Sequence, residues 1–212
     1  MYTGIVQGMA TVIASTDRAA CRAIVIRNQH GLFDDVAIGA SVSIDGVCLT
    51  VTACDSKSAT FEVSRLTLDL TTLRHLVVGS IVNVERSHKS GQENGGHGLY
   101  GHVEGVARVV GWRSSELGTQ LQVQIPDGKI RYFFHNGFLG LHGCSLTVNR
   151  VDLPASILAL NLIPETLRQT NLSTIKVGDE LNFEVDQHTR VLVDTLVRLL
   201  PLTGGLAVAA PQ

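Results

Sequence analysis

Aromatic residues are scarce in this chain, at 5% of 212 residues with a single tryptophan. Proteins that hold single-stranded nucleic acid need stacking side chains and a basic groove. Here 17 basic residues are outnumbered by 19 acidic ones, and no basic run occurs. Nucleic acid is therefore excluded as a partner, even for a small oligonucleotide-binding type of barrel. Charged residues are few as well, at 17%, but a hydrophobic content of 44% keeps the chain among ordinary globular proteins. No run approaches the roughly 20 apolar residues of a membrane-spanning helix, so no membrane partner is expected. The opening MYTGIVQGMATVIAST has no charged segment ahead of its apolar part and reads as strand, not as signal peptide. The expected location is cytoplasmic. Cys21, Cys48, Cys54 and Cys144 form no CxxC pair and lack metal-ligand spacing. Free thiols and no metal are expected.

What the chain does contain is an internal repeat. GIVQGMATV from Gly4 matches GHVEGVARV from Gly101, 97 positions on. The same offset aligns IDGVCLTVT from Ile44 with LHGCSLTVN from Leu141. Beyond a two-residue insertion the offset becomes 99, Gly79 to Gly178, and Thr67/Thr166, Leu73/Leu172, Asn83/Asn182 and Glu85/Glu184 coincide. Three blocks in one order mark a tandem duplication. The first copy and a Gly-rich polar linker, HKSGQENGGHG, account for residues 1–96, and the second copy for 97–187.

Within a copy, Leu49, Val51 and Ala53 alternate with Cys48, Thr50 and Thr52, the period of a half-buried strand. Short strands separated by Gly and Asp turns predict a closed all-β barrel in each copy. One short helix is predicted per copy, around Thr67 to Leu73 and from Pro164 to Leu172, with Pro164 at the first helical position. Over residues 188–201, Val193, Leu196, Val197 and Leu200 form one helical stripe, stopped by Pro201. That stripe packs either on its own barrel or on another subunit. The tail, 202–212, reads as loose.

The strings MYTGIVQG, GASVSIDGVCLTVT, GGHGLYGHVEG, GFLGLHGCSLTVN, LIPETLRQTNL and VGDELNFEVD occur in the order in which the riboflavin synthase family has similar ones. The chain resembles that family from residue 1 to about 200. The resemblance implies two six-stranded Greek-key barrels and a C-terminal helix through which three subunits associate as a homotrimer. The implied reaction is the dismutation of two molecules of 6,7-dimethyl-8-ribityllumazine. One donates a four-carbon unit to the other, giving riboflavin and 5-amino-6-ribitylamino-uracil, with no metal or redox cofactor. Each site would lie between the first barrel of one subunit and the second of a neighbour. A reaction between two identical molecules suits two similar pockets, since fixing both reactants replaces an encounter by a positioned event.

Donor and acceptor roles must then come from differences between the copies. Cys48 faces Ser145 in the alignment, and His102 faces Ile5. A free cysteine ordinarily fills a small apolar gap. Its place in DGVCLTV makes Cys48 a candidate nucleophile or proton carrier. His102, titrating near neutrality, is the candidate for removing a proton from the C7 methyl of the lumazine. Ser41 is the third candidate at the chemistry, its hydroxyl able to donate and accept.

By resemblance the first pocket is lined by Cys48, Leu49 and Thr50, by Glu62, Val63, Ser64, Arg65, Leu66 and Thr67, and by Gly101, His102 and Val103. The second takes Gly4, Ile5 and Val6 together with Ser145, Leu146 and Thr147, then Ile163, Pro164, Glu165, Thr166, Leu167 and Arg168. Asn136 near the pockets and Asp186 in FEVD are further substrate contacts, whereas His97 and His142 read as structural. Three positions depart from the family pattern. Leu66 replaces a glutamate and Asn136 a lysine, each reducing charge near a pocket, and Tyr2 replaces a phenylalanine. The alternative is a lumazine-binding antenna of the lumazine-protein type, or a weakened paralogue. Such antennas generally lack the cysteine and histidine present here as Cys48 and His102.

Overall fold

The computed structural model describes residues 1–115 and 118–200. The first copy forms β1 (Gly8–Asp17), β2 (Cys21–Arg27), β3 (Ser41–Ile44), β4 (Val47–Cys54), β5 (Ser58–Ser64) and β6 (Ile81–Arg86). The second forms β7 (Gly105–Ser115), β8 (Gly118–Gln124), β9 (Phe138–Leu141), β10 (Cys144–Asp152), β11 (Ile157–Leu162) and β12 (Glu180–Val185). Each set closes on itself, as β1-β2-β5-β4-β3-β6 and as β7-β8-β11-β10-β9-β12. Closure leaves no unpaired strand edge. Even the irregularities are duplicated. Bulges fall between Val12 and Ala14 and between Val51 and Ala53, and again between Val109 and Gly111 and between Val148 and Arg150.

Alternation along β4 buries Val47, Leu49 and Val51 inside the first barrel and leaves Thr50 and Thr52 outside. The expected inward position of Ala53 is not observed. The bulge after Val51 inserts a residue and flips the phase, so Ala53 is exposed and Cys54 packs on the core instead. Each barrel encloses its own apolar cluster, with Phe61 and Ile24 at the centre of one and Phe183 and Leu139 at that of the other. Side chains of this size each contribute about 1.5–3 kcal/mol when fully buried.

The short helices start as expected or slightly earlier and end sooner. Helix α1 runs Arg65–Leu70 and α2 runs Pro164–Gln169, with Pro164 in the first turn. Both stop at a threonine, Thr71 and Thr170, whose backbone is extended. Each hydroxyl donates back to a helix carbonyl, Thr67 O at 2.6 Å and Thr166 O at 2.7 Å, and also caps the following 3-10 turn. Helix propensity loses here to this local capping.

Helix α3 spans Gln187–Leu199, capped by Asp186, whose carboxylate accepts from the Thr189 N–H and hydroxyl, each at 2.8 Å. Val193 packs on the second barrel, but Leu192, Leu196, Val197 and Leu200 stay exposed. Pro201 and the tail 202–212 lie outside the described residues. No described helix is long and apolar enough to cross a membrane.

The copies meet about an approximate twofold axis, so equivalent residues face each other. Tyr2 and Leu99 exchange backbone hydrogen bonds of 2.7 and 3.0 Å. The Asn83 amide donates to His142 O at 2.9 Å, and its counterpart Asn182 donates to Asp45 O at 2.8 Å. Asp45 and His142 are also equivalent, and they lie 3.4 Å apart, both buried. Two like charges on this axis would repel. The duplication has diverged there to opposite partners.

Candidate functional site

The segment leading into each barrel packs on the other barrel. Val6 belongs to the core of the second barrel, and Val103 to that of the first. The Ser145 N–H donates to Gly4 O at 2.8 Å, and the Cys48 N–H donates to Gly101 O at 3.1 Å. Only glycine suits either turn. Gly4 and Gly101 sit at φ of 72° and 71°, and a Cβ on either would lie 2.5 Å from the Cβ of Ser145 or Cys48. A buried carboxylate braces each turn. Glu85 accepts from the N–H groups of Thr3 and Gly4, and Glu184 from those of Tyr100 and Gly101.

The crossing builds a cleft of about 340 Å³ on the second barrel. Gly4, Ile5 and Val6 form one wall, and Ser145, Ile163, Glu165 and Thr166 the other. All seven were expected there. Gln7, Cys144, Gln169 and Thr170 complete the lining, although burial pushes the Cys144 thiol up to about 12 and keeps it inert. The Ser145 hydroxyl meets His97, accepting its N–H at 3.1 Å and lying 2.6 Å from Nδ1. The ring is stacked on Phe138, centroids 4.9 Å apart, and Nε2 has no hydrogen-bond partner among the described residues. Burial lowers the His97 pKa against the opposing charge of Asp186, so the neutral imidazole prevails at pH 7. A neutral imidazole beside a hydroxyl can accept its proton. His97 is buried behind the cleft wall and touches the cleft through Ser145.

At the equivalent point of the first barrel the chemistry differs. Cys48 is half-buried, and its Sγ accepts from the Tyr2 hydroxyl at 3.1 Å. Tyr2 is 1% exposed. Burial first, and then Cys48 itself, drive its pKa far above the ordinary phenol value. The hydroxyl stays protonated and acts as a donor. Ser41 stands where the second copy has Phe138, paired across the sheet with Thr50, and its carbonyl accepts the Ser87 hydroxyl at 2.7 Å.

Residues 3–87 and again 100–186 match the family described as the lumazine binding domain. The riboflavin synthase of Escherichia coli (strain K12) is 38% identical over 201 residues, covering 94% of this chain and 93% of that protein. The riboflavin synthase of Chlamydia pneumoniae is 33% identical over 204 residues, covering 96% and 99%. The chain belongs to the riboflavin synthase family. Among solved structures, LumP complexed with riboflavin superposes with a TM-score of 0.81 at 25% identity, covering 88% of this chain and all of that one. LumP with 6,7-dimethyl-8-ribityllumazine gives a TM-score of 0.79 at 24% identity and shares the fold.

Other positions expected from the riboflavin synthase family divide by the direction of their side chains. Leu49, Val63 and Leu146 point into the barrel cores, leaving only backbone to face a ligand. Thr50 and Thr147 stand exposed on the outer strand faces. At the end of β5, Glu62 pairs with Arg18, Ser64 caps α1 by accepting from the Thr67 N–H, and Arg65 reaches Asp17. Leu66 is 82% exposed, whereas its counterpart Glu165 grips Arg168 through Oε1 at 2.7 Å. Leu167 packs on the second core. Asn136 occupies a left-handed turn at φ 60°, which asparagine tolerates better than lysine. Asp186 is tied to its capping bonds. Burial raises its pKa, but the Thr189 donors and His97 outweigh that and hold it below the usual value.

His102 is exposed and lines a different cleft, of about 570 Å³, against Arg190, Asp194 and Arg198 of α3. Its backbone neighbours Gly101 and Val103 lie on the first barrel, but Cys48 is not among the walls of that cleft.

Sequence reasoning did not place His97 beside Ser145, Phe138 against its ring, or the Tyr2 hydroxyl on Cys48. The substitution of Phe138 for Ser41 at the common offset was the available signal.

Proposed function

We propose that this protein is a riboflavin synthase converting two molecules of 6,7-dimethyl-8-ribityllumazine to riboflavin and 5-amino-6-ribitylamino-uracil. The observation that carries this reading is the pair of related turns whose equivalent positions bear different chemistry. Cys48 with Tyr2 faces one turn, and Ser145 with His97 faces the other. A shared frame suits two copies of one substrate, and unlike side chains suit its two roles, donor and acceptor. In this reading Cys48 supplies a nucleophile or carries a proton at the first barrel. His102 removes a proton from the C7 methyl, and His97 acts on the Ser145 hydroxyl at the second cleft. The curated relatives in E. coli and C. pneumoniae bear the same activity in their names.

The functional unit proposed is a homotrimer. Leu192, Leu196, Val197 and Leu200 form an apolar face on α3 that is exposed among the described residues. Association through that helix would place a neighbour beside the His102 cleft, which α3 itself walls. Each site would then join the first barrel of one chain to the second barrel of another.

One observation favours a second reading, a protein that binds lumazine without converting it. The first copy has Leu66 where the second has the Glu165–Arg168 pair. Incubating purified protein with the lumazine alone separates the two. Appearance of riboflavin absorbance and fluorescence supports the enzyme; a lumazine complex unchanged over hours supports the antenna.

A further inference from the structure

Glu85 and Glu184 are buried carboxylates at equivalent positions of the two copies. They are 3% and 6% exposed, and among the described residues neither forms an ion pair with a lysine or arginine. A buried carboxylate without a cation is costly. Burial raises both pKa values, and backbone N–H groups oppose the rise. Glu184 takes the N–H of Tyr100 at 2.7 Å on one oxygen and that of Gly101 at 2.9 Å on the other, and the His102 N–H adds to these. Glu85 takes Thr3 N–H at 2.6 Å, its hydroxyl at 2.8 Å and Gly4 N–H at 3.0 Å.

We infer that Glu184 is a positioning residue for Cys48 of the first barrel. Its carboxylate grips the turn that begins at Tyr100, and the carbonyl of Gly101 in that turn takes the Cys48 N–H. One bridging residue thus joins the last strand of the second barrel to the backbone of Cys48 in the first. His102 is the next residue along, so the same grip fixes where its side chain departs. Glu85 repeats the arrangement, through Gly4, at Ser145. The duplication supplies the argument that this is more than closure of a turn. The bracing pairs Glu85/Glu184 and Gly4/Gly101 are identical in the two copies, while the residues they present, Ile5/His102 and Cys48/Ser145, have diverged. The frame was kept and the chemistry changed. It follows that each barrel positions the residue that faces the crossing turn on the other, Cys48 in one case and Ser145 in the other.

The turnover arm of the test rests on the synthase reading, whereas the thiol arm does not. Glu184→Gln puts an amide N–H against a backbone N–H and loses the bonds made to that oxygen. Glu184→Asp keeps the charge but withdraws it by a methylene. The full-length variants are treated with iodoacetamide, and alkylation is followed at each cysteine by peptide mass spectrometry. With the turn released, Cys48 should react about five-fold faster, with Cys21 and Cys54 unchanged as internal controls. In the lumazine assay kcat should fall about ten-fold with little change in KM, the split expected when alignment and not affinity is lost. A folded variant of either kind with parental Cys48 reactivity overturns the proposal. So does failure of both to fold, since Glu184 would then be a determinant of the fold. If parental protein makes no riboflavin while the Cys48 response holds, the synthase reading fails and the positioning role stands.

Discussion

The Tyr2 hydroxyl donates to Cys48 Sγ at 3.1 Å, joining the first residues of the chain to the one half-buried thiol that faces a crossing turn. Phenylalanine, the residue expected here from the family pattern, would leave the sulfur without this donor. Tyr2→Phe should therefore cost about 1 kcal/mol of stability, the net worth of an ordinary hydrogen bond. Lumazine binding should survive. Chemical denaturation and a ligand titration check both parts.

Cys48→Ser and His102→Gln should each lower turnover by about ten-fold or more with little change in substrate affinity, as for groups acting mainly in the transition state. Steady-state kinetics on both variants is the check. Near-parental turnover in both would return these side chains to structural roles.

The Asp45–His142 pair gives a pH dependence with a definite sign. Burial raises the Asp45 pKa above 3.8, against His142, the Asn83 N–H and the Asn171 amide. The folded chain thus binds this proton more readily than the unfolded chain. The contribution of the group is complete below the ordinary aspartate value and is lost as pH rises through the folded value. Asp45→Asn keeps an acceptor for Asn83 and Asn171 and removes that loss. The variant should match or exceed parental stability at neutral pH, by about 1 kcal/mol if the charge is poorly compensated. Its advantage should shrink on acidification. Urea denaturation of both proteins from pH 4 to 7 measures the difference.

Asn83 makes three contacts at the barrel interface, with His142 O, the Asn171 N–H and, through its own N–H, Asp45. Asn83→Ala strands a buried carbonyl and a buried N–H. A loss of about 2–6 kcal/mol is expected, from roughly 1–3 kcal/mol for each of the two groups left unpaired. A loss below 1 kcal/mol would mean that water enters and replaces the amide.

The duplication made most of this architecture legible. An offset of 97 and then 99 residues fixed two copies, and period-two alternation fixed which face of β4 is inside. Alternation could not reveal the bulge at Ala53, because a bulge depends on how the neighbouring strand pairs. The ends of α1 and α2 were likewise hidden in single hydroxyls, Thr71 and Thr170. The walls of the second cleft were readable through the family strings. The crossing of the leaders was not, since nothing local says that Val6 belongs to one core and Ala10 to the other. His97 escaped for the same reason: its partner, Ser145, is 48 positions away.

The central claim is that two related clefts bring two copies of one molecule into reaction. Its most direct measurement is the ratio of lumazine consumed to riboflavin formed, followed together by chromatography in buffer containing a chelator and no nucleotide or reductant. The account predicts two lumazines consumed for each riboflavin, with one pyrimidine diamine appearing beside it. Lumazine bound and recovered intact, or riboflavin formed only when another reactant is added, would contradict it.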